Sequence, residues 1–222
     1  MTLLQSWFCY RALCRFSVVV LTVALAAPWT LAVAELSTGS VQTLIFMREE
    51  EKLARDVYLT LNEVWEQPVF ANIARSEQEH MDAMLAMLDR YGLPDSATTV
   101  VGIFNNSDLQ SLYDDLIRRG QQSVTEALFA GAAIEEMDIL DLQQALADEG
   151  LPADLRQSYE NLLAASGNHL RAFVRNIENQ GLVYEAQFMT NEQLTAVLSM
   201  PTQRPGSNSG QIGRGGNGGR WR

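Results

Sequence analysis

The chain is 222 residues long, with 16 Lys and Arg against 27 Asp and Glu, a formal charge of −11, two Cys, two His and 47% hydrophobic residues. These values exclude a disulfide scaffold, a collagen-like or wholly disordered chain and a multi-pass membrane protein. All 27 acids but only ten of the bases lie between Glu35 and Met200, so this body repels phosphate and no nucleic acid is expected as a partner, whereas a cation suits its charge.

Residues 1–34 read as a secretory signal: Arg11 and Arg15 are the basic region, Phe16 to Ala27 the apolar run, and Ala32-Val33-Ala34 the cleavage site before Glu35. A secreted or periplasmic location follows, with no stable membrane anchor after cleavage. Cys9 and Cys14 both fall in this segment, so the mature body carries no thiol or disulfide. The domain proper spans 35–200. Beyond it, residues 201–222 hold seven glycines and four arginines but no acid; such a tail cannot offset its ordering entropy by burial and is expected to be disordered, as a passive tail or an electrostatic tether.

Within the body, periodicity predicts helices almost throughout. From about Val41 to Trp65 the stripe Leu44, Met47, Glu51, Ala54, Tyr58, Leu61 and Trp65 recurs at three- and four-residue steps. On this reading Glu49, Lys52, Asp56 and Glu63 share the opposite, polar face. A second helix, about Val69 to Tyr91, carries Phe70, Ile73, Glu77, His80, Met81, Met84 and Leu88, with Pro68 in its first turn and Gly92 as a stop. A turn-rich connection leads to a short helix, about Ser107 to Arg119, closed by Gly120. Two long helices follow. One runs from a Ser123 cap to about Asp148 and aligns Leu128, Gly131, Glu135, Asp138 and Leu142; the other runs from about Ala153 to Gln180 and aligns Tyr159, Leu162, Ser166, His169, Phe173 and Ile177. A last helix after Thr190 opens with a capping-box spacing. Four long helices, the middle two joined by a crossover of roughly thirty residues, have the connectivity of a ferritin-like four-helix bundle.

Four carboxylates, Glu51, Glu77, Glu135 and Asp138, lie on core-facing stripes, where an unpaired charge costs several kcal/mol unless it is protonated, paired or bound to a cation. A pair of cations removes their mutual repulsion, and the two imidazoles of the chain, His80 and His169, supply nitrogen ligands. Heights agree as well. Glu135 and His169 are equidistant from the turn at Pro152, and Glu51 is nearly level with Glu77 and His80 about the bend near Pro68. Glu77-x-x-His80 sets both heads one turn apart on one face.

The segments EEEKLARDVY (49–58), NIARSEQEHMDAM (72–84), GAAIEEMDILDL (131–142) and NHLRAFV (168–174) together resemble the ferritin-like domain of unknown function 2202, over about residues 41–190. In the wider superfamily of ferritins and rubrerythrins, helices one and three give one Glu each, and helices two and four each give Glu-x-x-His to two irons. The resemblance therefore implies Glu51, with Glu50 as the flanking alternative, together with Glu77, His80, Glu135 and His169 as metal ligands, and likens Asp138 to an extra carboxylate of the rubrerythrin third helix. One position departs from the pattern: Ser166 stands where the second Glu-x-x-His has its acid.

The expected function is an exported di-iron protein, with two irons per chain or manganese or zinc in their place, acting on oxygen or peroxide as a ferroxidase- or peroxidase-type oxidoreductase. Two other classes remain open, a non-catalytic metal-binding or storage module and a metal-free helical interaction domain. Metal ions, a small oxidant and a second copy of the chain are the candidate partners. Tyr58 and Tyr159 read as core members close to the site. Arg171 and Arg175 read as exposed partners of acids.

Overall fold

A computed structural model of the protein describes residues 35–201. The signal segment at 1–34 and the Gly/Arg-rich tail from 202 onward lie outside the described residues, and among the described residues no helix is long and apolar enough to cross a membrane. Six helices and no strand are present there: α1 (Thr38–Trp65), α2 (Pro68–Arg90), α3 (Ser107–Gly120), α4 (Val124–Leu146), α5 (Ala153–Glu178) and α6 (Asn191–Ser199). The protein is thus an all-α four-helix bundle whose crossover carries a short helix.

Each boundary has a local cause. Ser37, Asn106, Ser123 and Thr190 accept hydrogen bonds from the first free N–H groups of α1, α3, α4 and α6, and Thr190 with Gln193 forms the reciprocal capping box. Pro68 opens α2, where its missing N–H costs nothing. Gly92 and Gly181 take φ of +66° and +80° just after α2 and α5, a conformation that a side chain disfavours. Gly120 acts differently from the expected stop: it is the last residue of α3, and a Cβ there would lie 2.7 Å from the Leu61 side chain. Its carbonyl accepts a 2.8 Å hydrogen bond from the Trp65 indole, which fastens α3 to the end of α1.

α1 pairs with α2 and α4 with α5, and the two pairs close the bundle through α1–α4 and α2–α5 contacts. The apolar interior falls into two clusters. One holds Leu53, Val57, Tyr58, Phe70, Ile73, Leu128, Phe173 and Ile177; the other holds Leu44, Met47, Met84, Leu88, Leu142, Leu155 and Tyr159. Between them, at one height on all four helices, sit Glu50, Glu51, Glu77, His80, Glu135, Asp138, Ser166 and His169, each less than a tenth exposed. Large apolar side chains above and below, worth roughly 2 kcal/mol each on burial, hold this polar layer away from water.

The expectation for Glu49, Lys52 and Asp56 is corrected. Lys52 and Asp56 are fully buried and Glu49 is 4% exposed, because the crossover lies over this face of α1. Lys52 Nζ pairs with Asp56 and donates to the Val100 carbonyl at 2.9 Å; Asp56 Oδ2 accepts from the Gly102 N–H at 2.9 Å. Lys52 also lies 4.2 Å from the centre of the Phe104 ring, and Arg48 pairs with Asp95 at 3.0 Å. These charges therefore pin the crossover rather than meet solvent. A stripe read along one helix counts the faces turned to sequential neighbours and has no term for a distant loop laid across the back.

Glu136, next to a candidate ligand, is rotated about 100° around α4 and serves the chain after α5. Its Oε2 accepts from the backbone N–H groups of Gln187, Phe188 and Met189 at 2.9, 2.6 and 3.0 Å, and its Oε1 from the Tyr184 hydroxyl at 2.8 Å. Replacing Glu136 with Ala leaves those donors without their acceptor, so a loss of on the order of 3 kcal/mol is expected in urea unfolding. A loss below about 0.5 kcal/mol, the range of an ordinary surface substitution, would remove the pin from the account.

Candidate metal centre

Glu51 reaches the centre from α1, Glu77 and His80 from α2, Glu135 from α4 and His169 from α5. Two groups form, Glu51/Glu77/His80 and Glu77/Glu135/His169, each with three ligand atoms within 4.8 Å of one another. Glu77 belongs to both. Its Oε2 lies 2.6 Å from His80 Nδ1 and its Oε1 2.8 Å from His169 Nδ1. Glu51 Oε2 is 3.2 Å from His80 Nδ1, and Glu135 Oε2 is 3.5 Å from His169 Nδ1. The imidazole rings lie side by side, 5.6 Å between centres and 26° between planes.

Both histidines turn Nδ1 inward. Their Nε2 atoms face Ser76 Oγ, at 3.0 Å for His169 and 3.5 Å for His80. Ser76 is thus a shared orienting hydroxyl, and its only signal in the sequence is its place one helical turn before His80. On the far side Tyr58 donates to Glu135 Oε1 at 2.6 Å and to the Gly131 carbonyl at 3.3 Å. Gly131 makes room for the Phe173 ring that packs 5.2 Å from the Tyr58 ring, since a Cβ at this position would stand 2.4 Å from Phe173.

Asp138 stands one turn beyond Glu135 and outside both groups. It accepts from the Ser166 hydroxyl of the facing helix. Ser166 of α5 therefore holds an acid of α4 in the same layer. Glu50 turns away from the imidazoles, towards Asp138 and Asp141; Glu51 is the α1 residue that joins them. Tyr159 is buried, and its hydroxyl has no hydrogen-bond partner. Arg171 departs from expectation: it donates to the Val197 carbonyl of α6 at 2.7 Å and to Asn168 rather than to an acid.

Burial dominates the electrostatics. It raises Glu51 to about 7 against the pull of His80, and raises Glu135 against the pull of His169. Burial and the neighbouring Glu51 and Glu135 lift Asp138 well above the usual carboxylate range. Glu77 is the exception: burial pushes it up, but His169 and His80 outweigh burial and hold it far below that range. The histidines answer in kind. Burial lowers both, yet Glu77 and Glu135 carry His169 up to about 10, and Glu77 with Glu51 raise His80 well above its ordinary value.

Five buried atoms in this layer, Glu50 Oε2, Glu51 Oε1, Glu77 Oε1, Asp138 Oδ1 and His169 Nδ1, have no hydrogen-bond partner. Glu77 Oε1 and His169 Nδ1 are 2.8 Å apart but out of hydrogen-bonding alignment, so they attract as charges without sharing a directed proton. Oxygen and nitrogen donors that converge without satisfying one another suit a borderline divalent cation, and the buried carboxylate and histidine groups can hold a metal ion.

Residues 40–201 match the family described as an uncharacterized protein domain (DUF2202). The chain belongs to this family. A relative, the uncharacterized protein MJ0754 of Methanocaldococcus jannaschii, is 43% identical over 170 residues, which is 76% of this chain and 91% of the relative. The crystal structure of the hypothetical protein MJ0754 superposes with a TM-score of 0.75 at 42% identity, covering 78% of this chain and 99% of that one. The fold is accordingly shared with a solved structure.

Proposed function

We propose that this DUF2202 protein is a ferritin-like metal protein of an exported compartment, with a dinuclear centre held by Glu51, Glu77, His80, Glu135 and His169, iron as its resident metal, and a small oxidant such as oxygen or peroxide as its substrate. The observation that carries the reading is the convergence of unpartnered Glu51 Oε1, Glu77 Oε1 and His169 Nδ1 in a dry layer between two apolar clusters. Two metal positions follow from Glu77, which has one oxygen towards each histidine.

When bound, a pair of irons would supply redox chemistry to the oxidant. The residues of the chain prepare that site. Ser76 holds both Nε2 edges so that Nδ1 faces inward. Tyr58 occupies Glu135 Oε1 and leaves Oε2 on the side of His169. The protons that Glu77 and its neighbours favour on His80 and His169 would depart to solvent on cation binding. The Ser166–Asp138 contact favours a second reading, since one fewer acid converges on the centre: metal binding or storage without turnover, with manganese or zinc as alternatives.

Elemental analysis of mature protein from its native compartment, followed by anaerobic ferrous titration and then air in an oxygen electrode, tests both. Two irons per chain with oxygen consumption are expected. Bound metal without consumption selects the storage reading, and no metal in a well-folded protein overturns both.

A further inference from the structure

A cavity of about 430 Å³ opens at the end of the bundle where α1 begins and α4 ends, and Ser40, Met47, Asp141, Gln144, Asp148 and Tyr159 are among its walls. Two acids and no base line it. From Asp141 inward, α4 presents Asp138 and then Glu135 at three-residue steps, each about one turn deeper. Glu50 of α1 lies beside Asp138 and Asp141, with Glu51 of the centre next to it.

Glu50 and Asp138 are 7% and 6% exposed, and Glu50 Oε2 and Asp138 Oδ1 have no hydrogen-bond partner. Neither acid is needed to complete the two ligand groups. Three carboxylates, Asp141, Glu50 and Asp138, thus span the interval between the acidic cavity and the buried centre. Two further cavities differ in charge: the one between α4, α5 and α6 sets Arg171 against Glu160, and the one between α2 and α5 carries Arg175 and no acid. A cation meets balanced charge at the first and like charge at the second, whereas the α1–α4 cavity attracts it.

The geometry points to this cavity as the entry route for divalent cations, with Asp141, Glu50 and Asp138 passing them inward to the centre. The inference rests on the metal-binding reading above and adds to it a direction of loading. Asp141 at the cavity wall, then the buried and unpartnered Glu50 Oε2 and Asp138 Oδ1, give a cation successive weak stations without holding it as firmly as the imidazole-bearing groups do.

The test is stopped-flow loading of the full-length mature protein with cobalt(II), read by absorbance of the ligand-bound ion. Gln144 is exposed at the cavity wall, so Gln144→Lys and Gln144→Glu change the charge of the mouth without disturbing the core. Gln144→Lys is expected to slow loading roughly tenfold, and Gln144→Glu to speed it, with both effects shrinking at high salt and the end-point absorbance unchanged. Asp141→Asn also slows loading, while Glu160→Gln, at the α4–α5–α6 cavity, leaves the rate at the wild-type value. Equal rates in all of these variants would overturn the entry route while leaving the centre intact. Wild-type protein that takes up no cobalt at all would overturn the metal-binding reading and the route with it.

Discussion

Glu77→Gln is expected to abolish cation binding at both proposed positions, whereas loss of any other single proposed ligand is expected to spare one. The reason is topological: Glu77 is the one member common to both groups, with Oε2 towards His80 and Oε1 towards His169. The amide keeps the shape but removes the negative charge and turns one of the two oxygens into a donor. Glu135→Gln, by contrast, touches one group only and is expected to keep one cation. In the metal-free protein Glu77→Gln also removes the carboxylate that both buried imidazoles face, with a loss on the order of 3 kcal/mol. Metal content per chain by elemental analysis, with urea unfolding beside it, reads both effects. Full wild-type content in Glu77→Gln would disprove the shared bridge, and Glu79→Gln, exposed on the outer face of α2, is the control that should change nothing.

Stabilisation by a divalent cation grows as pH rises from 5 to 8, while the metal-free protein weakens over the same range. His169 is held up to about 10 from 6.5, so its contribution is complete below about 6.5 and is lost as pH climbs towards 10. Glu51 keeps its proton to about 7 instead of 4.5; a raised acid makes the folded state the better proton binder, and stability falls between those two values. Glu77 has the opposite sign. Held low by the imidazoliums, it adds stability that is present above its unfolded value and lost only in acid. The metal-free protein is therefore most stable near pH 5. A cation competes with these protons, so its binding strengthens with pH. At a hundredfold excess over Kd the gain is about 2.7 kcal/mol, or roughly 5–10 °C in Tm for a domain of this size. Thermal melts at pH 5, 6, 7 and 8 with and without manganese(II) measure it, and a cation-induced shift that is flat or shrinks towards pH 8 would contradict the exchange of protons for metal.

Much of this protein was legible in one dimension because the signals are local. Ser123, Pro68 and the Thr190/Gln193 pair mark helix starts by side-chain chemistry within three residues, and 3.6-residue periodicity separates a core face from its opposite without reference to any partner. The same periodicity put Glu51, Glu77, His80, Glu135, Asp138 and His169 on inward stripes, and nearly equal distances from a turn set their heights; the structure brings five of these six residues into the two groups and leaves Asp138 one turn away. The helices, their order and the level of the polar layer could therefore be read from the chain alone. The division of the layer arises from packing: Glu51 rather than Glu50 meets His80, Ser166 anchors Asp138, Ser76 orients both imidazoles, and Lys52 and Asp56 lie beneath the crossover. Apart from the Ser76–His80 contact, these join residues 28 to 93 positions apart, settled by side-chain direction and by which loop covers which face. Helical periodicity assigns a residue to a face within about 100°, and two neighbouring glutamates on one helix can be told apart only by what stands opposite each.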